Sequence, residues 1–157
     1  MPRALALQAR GLTKAYRGVV AVESLDLEVA AGTILGFLGP NGAGKTTVIR
    51  MLSTILRPDA GWFAVADVPQ DQPMEIRRRV GVLPESAGYP PGQTGHEWLS
   101  FHAELFGRPR DHARATAHRL LAEVGLAERG GSLISRYSRG MRQRLGIARA
   151  LINDPRW

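Results

Sequence analysis

Apolar and polar residues follow strand-like and then helix-like periodicities along the first third of the chain. Residues 4–10 and 20–29 alternate in part between apolar and polar side chains, which predicts two half-exposed strands of antiparallel type. Residues 33–38 are apolar almost throughout and predict a short buried strand. Residues 46–56 have helical spacing. The apolar residues expected on one face of this helix are Val48, Met51, Leu52 and Ile55.

Short elements continue to about residue 90. A turn at residues 58–61 precedes a strand at 62–66, and a short helix is expected at 74–79. Residues 80–83 then predict a return to the sheet, which Pro84 ends. Strands and helices therefore alternate over this part of the chain, and we expect a mixed α/β core.

The remainder of the chain has a helical pattern. Thr94 is a candidate N-cap, because Glu97 lies three residues later and completes a capping box. A second helix is expected at 111–124, and a third from about Gly140 to the Asn-Asp-Pro sequence at 153–155. The residues expected to face inward are Trp98, Phe101, His102, Leu105 and Phe106 in the first helix, Ala115, Leu120, Leu121 and Val124 in the second, and Met141, Leu145, Ala148, Leu151 and Ile152 in the third.

Composition and charge limit the possible classes of protein. The chain has 157 residues, of which 44% are hydrophobic, and it has no cysteine, so it offers no disulfide or thiolate metal site. No apolar run approaches the roughly 20 residues that span a bilayer. The net charge is +7, but the arginines are scattered, and no aromatic residues interleave with them as a single-strand binding surface requires. We interpret Arg77, Arg78 and Arg79 as a solvated helix end, with a nucleic-acid patch as the alternative.

The sequence GPNGAGKTT at residues 39–47 carries the strongest chemical signal. It satisfies the pattern G-x-x-x-x-G-K-[ST], with a strand predicted before it and a helix after it. Glycines let backbone N–H groups turn toward a polyphosphate, Lys45 can reach the β- and γ-phosphate oxygens, and the Thr46 hydroxyl can ligate Mg²⁺. The candidate binding residues are Gly39, Pro40, Asn41, Gly42, Ala43, Gly44, Lys45, Thr46 and Thr47. The alternative is a glycine-rich turn between two core elements, which the Lys-Thr pair in register disfavours.

The residues at two further positions resemble those of the ATP-binding domains of ABC transporters. Tyr16, 23 residues before Gly39, lies where that family has an aromatic ring stacked on adenine, although an edge-strand packing role is equally compatible with the residue alone. Glu85 lies at the family's Q-loop position, where glutamine is commoner, and the resemblance implies that its side chain lies beside Mg²⁺.

Residues 137–151 (YSRGMRQRLGIARAL) resemble the family's signature motif and the helix that follows it. The resemblance implies that Ser138, Gly140 and Met141 contact the γ-phosphate of ATP held by a second subunit. Ser138 would also serve as the N-cap of an ordinary helix. Together with Glu85, this variant of the motif is similar to the branch of the family that serves multidrug- or polysaccharide-type exporters.

The resemblance implies a P-loop NTPase fold of the RecA-like type, with N-terminal antiparallel β-strands and an inserted α-helical subdomain. It divides the chain into a nucleotide-binding core at 1–93, a helical insert at 94–136, and the signature motif with its helix at 137–157. In the family, a strand with the Walker B aspartate and a catalytic glutamate follow that helix, and no such run occurs in residues 1–157. We therefore expect a truncated domain that does not hydrolyse ATP alone.

The implied function is that of an ATP-binding module, with ATP and Mg²⁺ as cofactors, that powers substrate export in its intact form. Its partners would be a membrane-spanning permease subunit and a second ATP-binding subunit arranged head to tail, at the cytoplasmic face of the cell membrane. No nucleic acid is expected as a partner. Two alternatives stay open: a non-functional truncated remnant, and a soluble ABC-type ATPase that acts on nucleic acid or the ribosome, for which the basic charge is the only support.

Overall fold

The computed structural model describes residues 4–84 and 88–155, so Glu85 lies outside the described residues. The chain divides into two compact units. The first contains the described residues up to Arg79, and the second is Val80–Pro155. Strands and helices are both present, as the predicted α/β fold class requires.

An antiparallel sheet organises the first unit. Over the described residues it has four strands in the order β2-β1-β3-β4. Their bounds are Leu5–Tyr16 for β1, Val19–Ala30 for β2, Ala60–Val65 for β3 and Val68–Pro69 for β4. The two strands of antiparallel type are present as predicted and pair with each other, and both are longer than their alternating patterns indicated.

Two helices complete the first unit, α1 (Lys45–Leu52) and α2 (Pro73–Arg79). Val48 and Met51 of α1 are buried, as predicted. The helix nevertheless ends before residue 56, because Thr54 adopts a left-handed conformation with φ of 61° that an α-helix cannot contain. Ile55 therefore lies beyond the helix and is exposed, so its predicted place on the buried face is wrong.

The strands predicted at residues 33–38 and 80–83 are absent from the structure, and both predictions are wrong. Ile34, expected to be buried, is 100% exposed. A strand forms only where a neighbour takes its backbone hydrogen bonds. In the described part of the chain, the sheet offers no such neighbour to either segment. Apolar character alone was therefore insufficient to predict a strand.

Helices form the second unit, and its described residues contain three α-helices and two short 3-10 turns. The α-helices are α3 (Gly95–Leu105), α4 (Arg110–Glu123) and α5 (Arg139–Ala150), and the turns are Ala127–Arg129 and Ile134–Arg136. Their buried side chains form one core cluster. Its members include Trp98, Leu99, Ala103, Ala117, Leu120, Leu121, Ile134, Tyr137, Leu145 and Ile152.

The predicted apolar stripe of α3 is only partly buried. Trp98 lies in the core, but three other members of the stripe are exposed: Phe101, Leu105 and Phe106. Leu99 and Ala103 are buried instead, because α4 packs against the face that carries them. The inward face of α4 agrees with the prediction over its second half but not at its start.

In α4, Ala115 is exposed, contrary to prediction, whereas Leu120 and Leu121 are buried as predicted. In α5, Leu145 and Ala148 are buried. The core-facing residues of the final helix therefore agree with the sequence pattern, but the helix ends at Ala150, before the predicted end at residues 153–155.

The capping box of α3 is present as predicted. The Thr94 hydroxyl accepts a hydrogen bond from the Glu97 N–H at 3.2 Å, and the Glu97 carboxylate accepts one from the Thr94 N–H at 2.9 Å. The bond from the Thr94 N–H lowers the pKa of Glu97 below its ordinary value. This contribution to stability is therefore present above the unfolded-state pKa and is lost as the pH falls through the lowered one.

Replacing Thr94 with alanine should lower the free energy of unfolding by about 1 kcal/mol, because the N-terminal N–H groups of α3 lose their acceptor. Urea unfolding followed by circular dichroism at neutral pH measures this change. Ser100→Ala, within the same helix, is the control and should have a smaller effect. An equal loss in both variants would contradict a specific capping role.

Candidate functional site

Glycine conformations shape the loop at residues 39–44, which leads into α1. Gly39, Gly42 and Gly44 have φ angles of 149°, 88° and 79°. Such angles are costly for residues that carry a Cβ. The glycines of the predicted motif therefore lie where the backbone conformation favours them.

Gly44 is held by a close approach to β2. A Cβ on Gly44 would lie 2.4 Å from the Ala21 carbonyl oxygen and 3.0 Å from Val22 Cγ2. Both distances are shorter than ordinary van der Waals contact, and the first involves backbone that cannot move aside easily. The strand therefore fixes the start of α1, and a larger residue than glycine does not fit there.

The N-terminus of α1 leaves backbone donors without helical partners. Gly44 is the N-cap residue, and no side chain caps this helix. The first intrahelical bond runs from the Val48 N–H to the Gly44 carbonyl at 2.9 Å. The N–H groups of Lys45, Thr46 and Thr47 precede that bond, and the positive end of the helix dipole lies beside them. This arrangement suits an anion such as a phosphate.

The Lys45 ammonium lies within the loop. Its Nζ donates to the carbonyl oxygens of Gly39 at 2.7 Å and Pro40 at 2.6 Å. The positive charge is thereby held over the same loop whose N–H groups suit an anion. Pro40, Asn41 and Ala43 contribute the exposed backbone between the glycines.

Of the two candidate metal ligands, the structure describes Thr46 but not Glu85. Thr46 is exposed in the first turn of α1, where its hydroxyl is accessible to a cation bound with phosphate. Glu85 lies outside the described residues. Within residues 4–84 and 88–155, there is no cluster of three or more His, Cys, Asp or Glu side chains that could hold a metal ion.

Tyr16 lies at the end of β1, and its side chain is 43% exposed. It pairs with Val19 of β2. Ala21, two residues further along β2, has the carbonyl that approaches Gly44. The structure therefore brings the Tyr16 end of the β1–β2 hairpin and the start of α1 to the same stretch of β2.

The signature candidates lie in the second unit. Ser138 is the N-cap of α5, and its Oγ accepts a hydrogen bond from the Met141 N–H at 3.2 Å. Gly140 is exposed, with free space where a Cβ would lie. Met141 is half-buried against the helical core. Helix capping by Ser138 is thus observed, and contact of these residues with a phosphate stays a prediction.

Sequence reasoning did not identify the residues that support the glycine loop. Ala21 and Val22 lie more than twenty positions before Gly44. The strand pattern gave no sign that these two residues would approach Gly44. The only sequence signal was the glycine itself, since an obligatory glycine indicates a close approach to another part of the backbone.

Comparison with known proteins gives a consistent family. A family model described as ABC transporter matches residues 22–157. The chain is 44% identical over 152 residues to the daunorubicin/doxorubicin resistance ATP-binding protein DrrA of Streptomyces peucetius, covering 96% of this chain and 46% of that protein. It is 40% identical over 151 residues to the Nod factor export ATP-binding protein I of Cupriavidus metallidurans, covering 95% and 50%. The chain thus spans about half the length of these curated relatives.

A solved structure shares the fold. The structure of cbiO1 from Clostridium perfringens, described as part of the ABC transporter complex cbiONQ, aligns with a TM-score of 0.83 over 98% of this chain and 63% of that one. The sequence identity is 22%, so this likeness concerns the fold alone. Among the described residues, no helix is both long and apolar enough to cross a bilayer.

Proposed function

We propose, since this chain belongs to the ABC transporter family, that it forms the ATP-binding part of an exporter and powers transport through a separate membrane-spanning permease subunit. Residues 39–47 would hold the phosphates of ATP, and Tyr16 would stack on adenine. Thr46 and Glu85 would lie beside Mg²⁺. Relatives whose names refer to daunorubicin resistance and Nod factor export support the export role.

The start of α1 carries this proposal. An N-cap glycine in a left-handed conformation, a helix with no side-chain cap and a lysine ammonium over the loop occur together at one place. Each feature favours negative charge, and their combination suits a polyphosphate better than a single carboxylate. These features support the proposal that the loop holds the phosphates of ATP.

Assembly with a second copy of the domain belongs to the same proposal. In such a dimer Ser138, Gly140 and Met141 would contact the γ-phosphate of ATP bound by the partner. The exposed start of α5 leaves this surface accessible. The assembly would work at the cytoplasmic face of the membrane, and ATP hydrolysis is proposed for the intact protein.

The arginines of α2 support the helix-end interpretation better than the nucleic-acid alternative. Arg77 donates to the Thr54 carbonyl at 2.9 Å, and Arg79 donates to the Ala66 carbonyl at 2.9 Å. These guanidinium groups brace α2 against its own unit, which favours the interpretation as a helix end. A non-functional remnant stays the other alternative, and a binding measurement distinguishes it.

Replacing Lys45 with alanine should weaken ATP binding about ten- to hundredfold, because a charge-assisted contact worth roughly 1.5–3 kcal/mol is removed. Isothermal titration calorimetry with Mg·ATP measures the two dissociation constants. Arg50→Ala, which removes an exposed positive charge near the other end of α1, is the matched control and should bind ATP like the parent. Equal affinities in the parent and the Lys45→Ala variant would refute the proposed phosphate site.

A further inference from the structure

A short hydrogen-bond network joins the turn before β3 to the end of β1. One carboxylate oxygen of Asp59 accepts from Lys14 Nζ at 2.6 Å, and the other accepts from the Ala15 N–H at 2.8 Å. The Asp59 N–H donates to the Thr13 carbonyl at 2.9 Å, and Lys14 Nζ also donates to the Arg57 carbonyl at 2.9 Å. Asp59 therefore binds three consecutive residues of β1.

The Asp59 carboxylate accepts a hydrogen bond from the Ala15 N–H that a neighbouring strand would otherwise accept. The pairing of β1 with β3 ends at Thr13↔Ala60, so the ladder offers no strand carbonyl to Ala15 on that edge. On its other edge, β1 stays paired with β2 as far as Tyr16↔Val19. With both edges bonded, the backbone of β1 is held up to the residue that precedes Tyr16.

The ammonium group of this network is largely shielded from water. The Lys14 side chain is only 14% exposed, so its ammonium depends on these oxygen acceptors. The hydrogen bond from the Ala15 N–H, and after it that from Lys14, lowers the pKa of the Asp59 carboxyl below its ordinary value. The carboxylate therefore stays ionised at neutral pH.

The network is connected to the loop at residues 39–44 through β2. Lys14 is the register partner of Val22 in the β1–β2 pair. Val22 is the residue whose Cγ2 lies 3.0 Å from the place of a Cβ on Gly44. The strand segment that Asp59 holds is therefore the segment that connects Tyr16 to the start of α1.

We propose that Asp59 is a positioning residue for nucleobase recognition: by binding Ala15 and Lys14 it holds Tyr16 at a fixed place relative to residues 39–47. This inference rests on the proposed function, because it assigns Asp59 to the same ATP site. Asp59 itself touches neither base nor phosphate in this account. Its effect is on the adenine part of the ligand only.

Two ligands separate base recognition from phosphate recognition. Mg·ATP and magnesium tripolyphosphate are titrated calorimetrically into the parent, Tyr16→Ala, Asp59→Asn, Asp59→Ala and the Tyr16→Ala/Asp59→Asn double variant. Asparagine keeps the size of the side chain but presents an NH₂ group to one of the two donors. Glu28→Gln is the matched control, because Glu28 of β2 forms an ion pair with Arg10 of β1, away from Tyr16.

We expect Tyr16→Ala to weaken ATP binding about five- to hundredfold, the range for loss of one base–aromatic stack. Asp59→Asn should weaken ATP binding about three- to tenfold, because only part of the same stacking interaction is lost. Tripolyphosphate affinity should be unchanged in both variants. In the double variant, Asp59→Asn should add nothing to Tyr16→Ala, since the two residues act through one interaction. Glu28→Gln should match the parent with both ligands.

Several results would overturn the inference. These are equal ATP affinity in the parent and both Asp59 variants, an equal loss of ATP and tripolyphosphate affinity, or an Asp59→Asn effect that persists without Tyr16. Loss of folding in both Asp59 variants would also overturn it, because Asp59 would then support the unit as a whole. If the parent binds tripolyphosphate as tightly as ATP, the base-recognition role fails and the phosphate site stands. If the parent binds neither ligand, the proposed function itself fails.

Discussion

Replacing Trp98 with alanine should lower the free energy of unfolding by about 3–5 kcal/mol, the cost of a large cavity in a core. Trp98 is 2% exposed. Its ring centroid lies 5.1 Å from that of Tyr89 and 4.3 Å from that of His102, and the Arg149 guanidinium lies 5.9 Å from it. The residue thus connects α3, α5 and the segment before α3, and its removal takes away contacts with all of them.

Phe101→Ala is the matched control for this prediction. Phe101 lies three residues later on the same helix but is 50% exposed, so its removal should cost less than about 1 kcal/mol. Urea unfolding followed by far-ultraviolet circular dichroism compares the three chains without relying on tryptophan fluorescence. Similar losses in both variants would show that the core of the second unit is not centred on Trp98.

The second large effect is expected at Gly44. Alanine there should weaken ATP binding by more than about tenfold, because the start of α1 must move away from Ala21 and takes the N–H groups with it. The backbone conformation alone costs an alanine about 1–2 kcal/mol. The clash at 2.4 Å with the Ala21 carbonyl adds to that cost.

Gly32→Ala separates the clash from the backbone strain. Gly32 has a φ of 72°, close to that of Gly44, but has free space where a Cβ would lie. This variant should lose a similar 1–2 kcal/mol of stability from strain and should keep the ATP affinity of the parent. Calorimetry with Mg·ATP and thermal unfolding compare the two variants. Unchanged ATP affinity in Gly44→Ala would mean that the approach of β2 does not shape the binding loop.

Features determined by neighbouring residues could be predicted from the sequence. The capping box at Thr94 and Glu97 depends on residues three positions apart, and it forms as expected. The spacing of the glycines at residues 39–44 is typical of a loop that needs positive φ angles, and these glycines have such angles. In both cases the interacting groups are close together in the sequence, so a short motif contains the necessary information.

Features determined by distant residues could not be predicted in the same way. Residues 33–38 are apolar, but whether they form a strand depends on a neighbouring strand that a local pattern cannot supply. Phe101 has the helical spacing of a buried residue, yet the placement of α4 selects Leu99 and Ala103 for the core instead. The approach of Val22 to Gly44 and the binding of Ala15 by Asp59 likewise depend on strand register, which the periodicity of one segment does not specify.

Backbone amide chemical shifts measured during addition of Mg·ATP test the central claim most directly, namely that the loop and the start of α1 bind the phosphates of ATP. The account predicts the largest shifts for the N–H groups of residues 42–47, and it predicts that magnesium tripolyphosphate reproduces them. Adenine-dependent shifts should be confined to the neighbourhood of Tyr16. Unshifted amides at residues 42–47 at saturating ATP, or largest shifts at α2 or α4, would contradict the account.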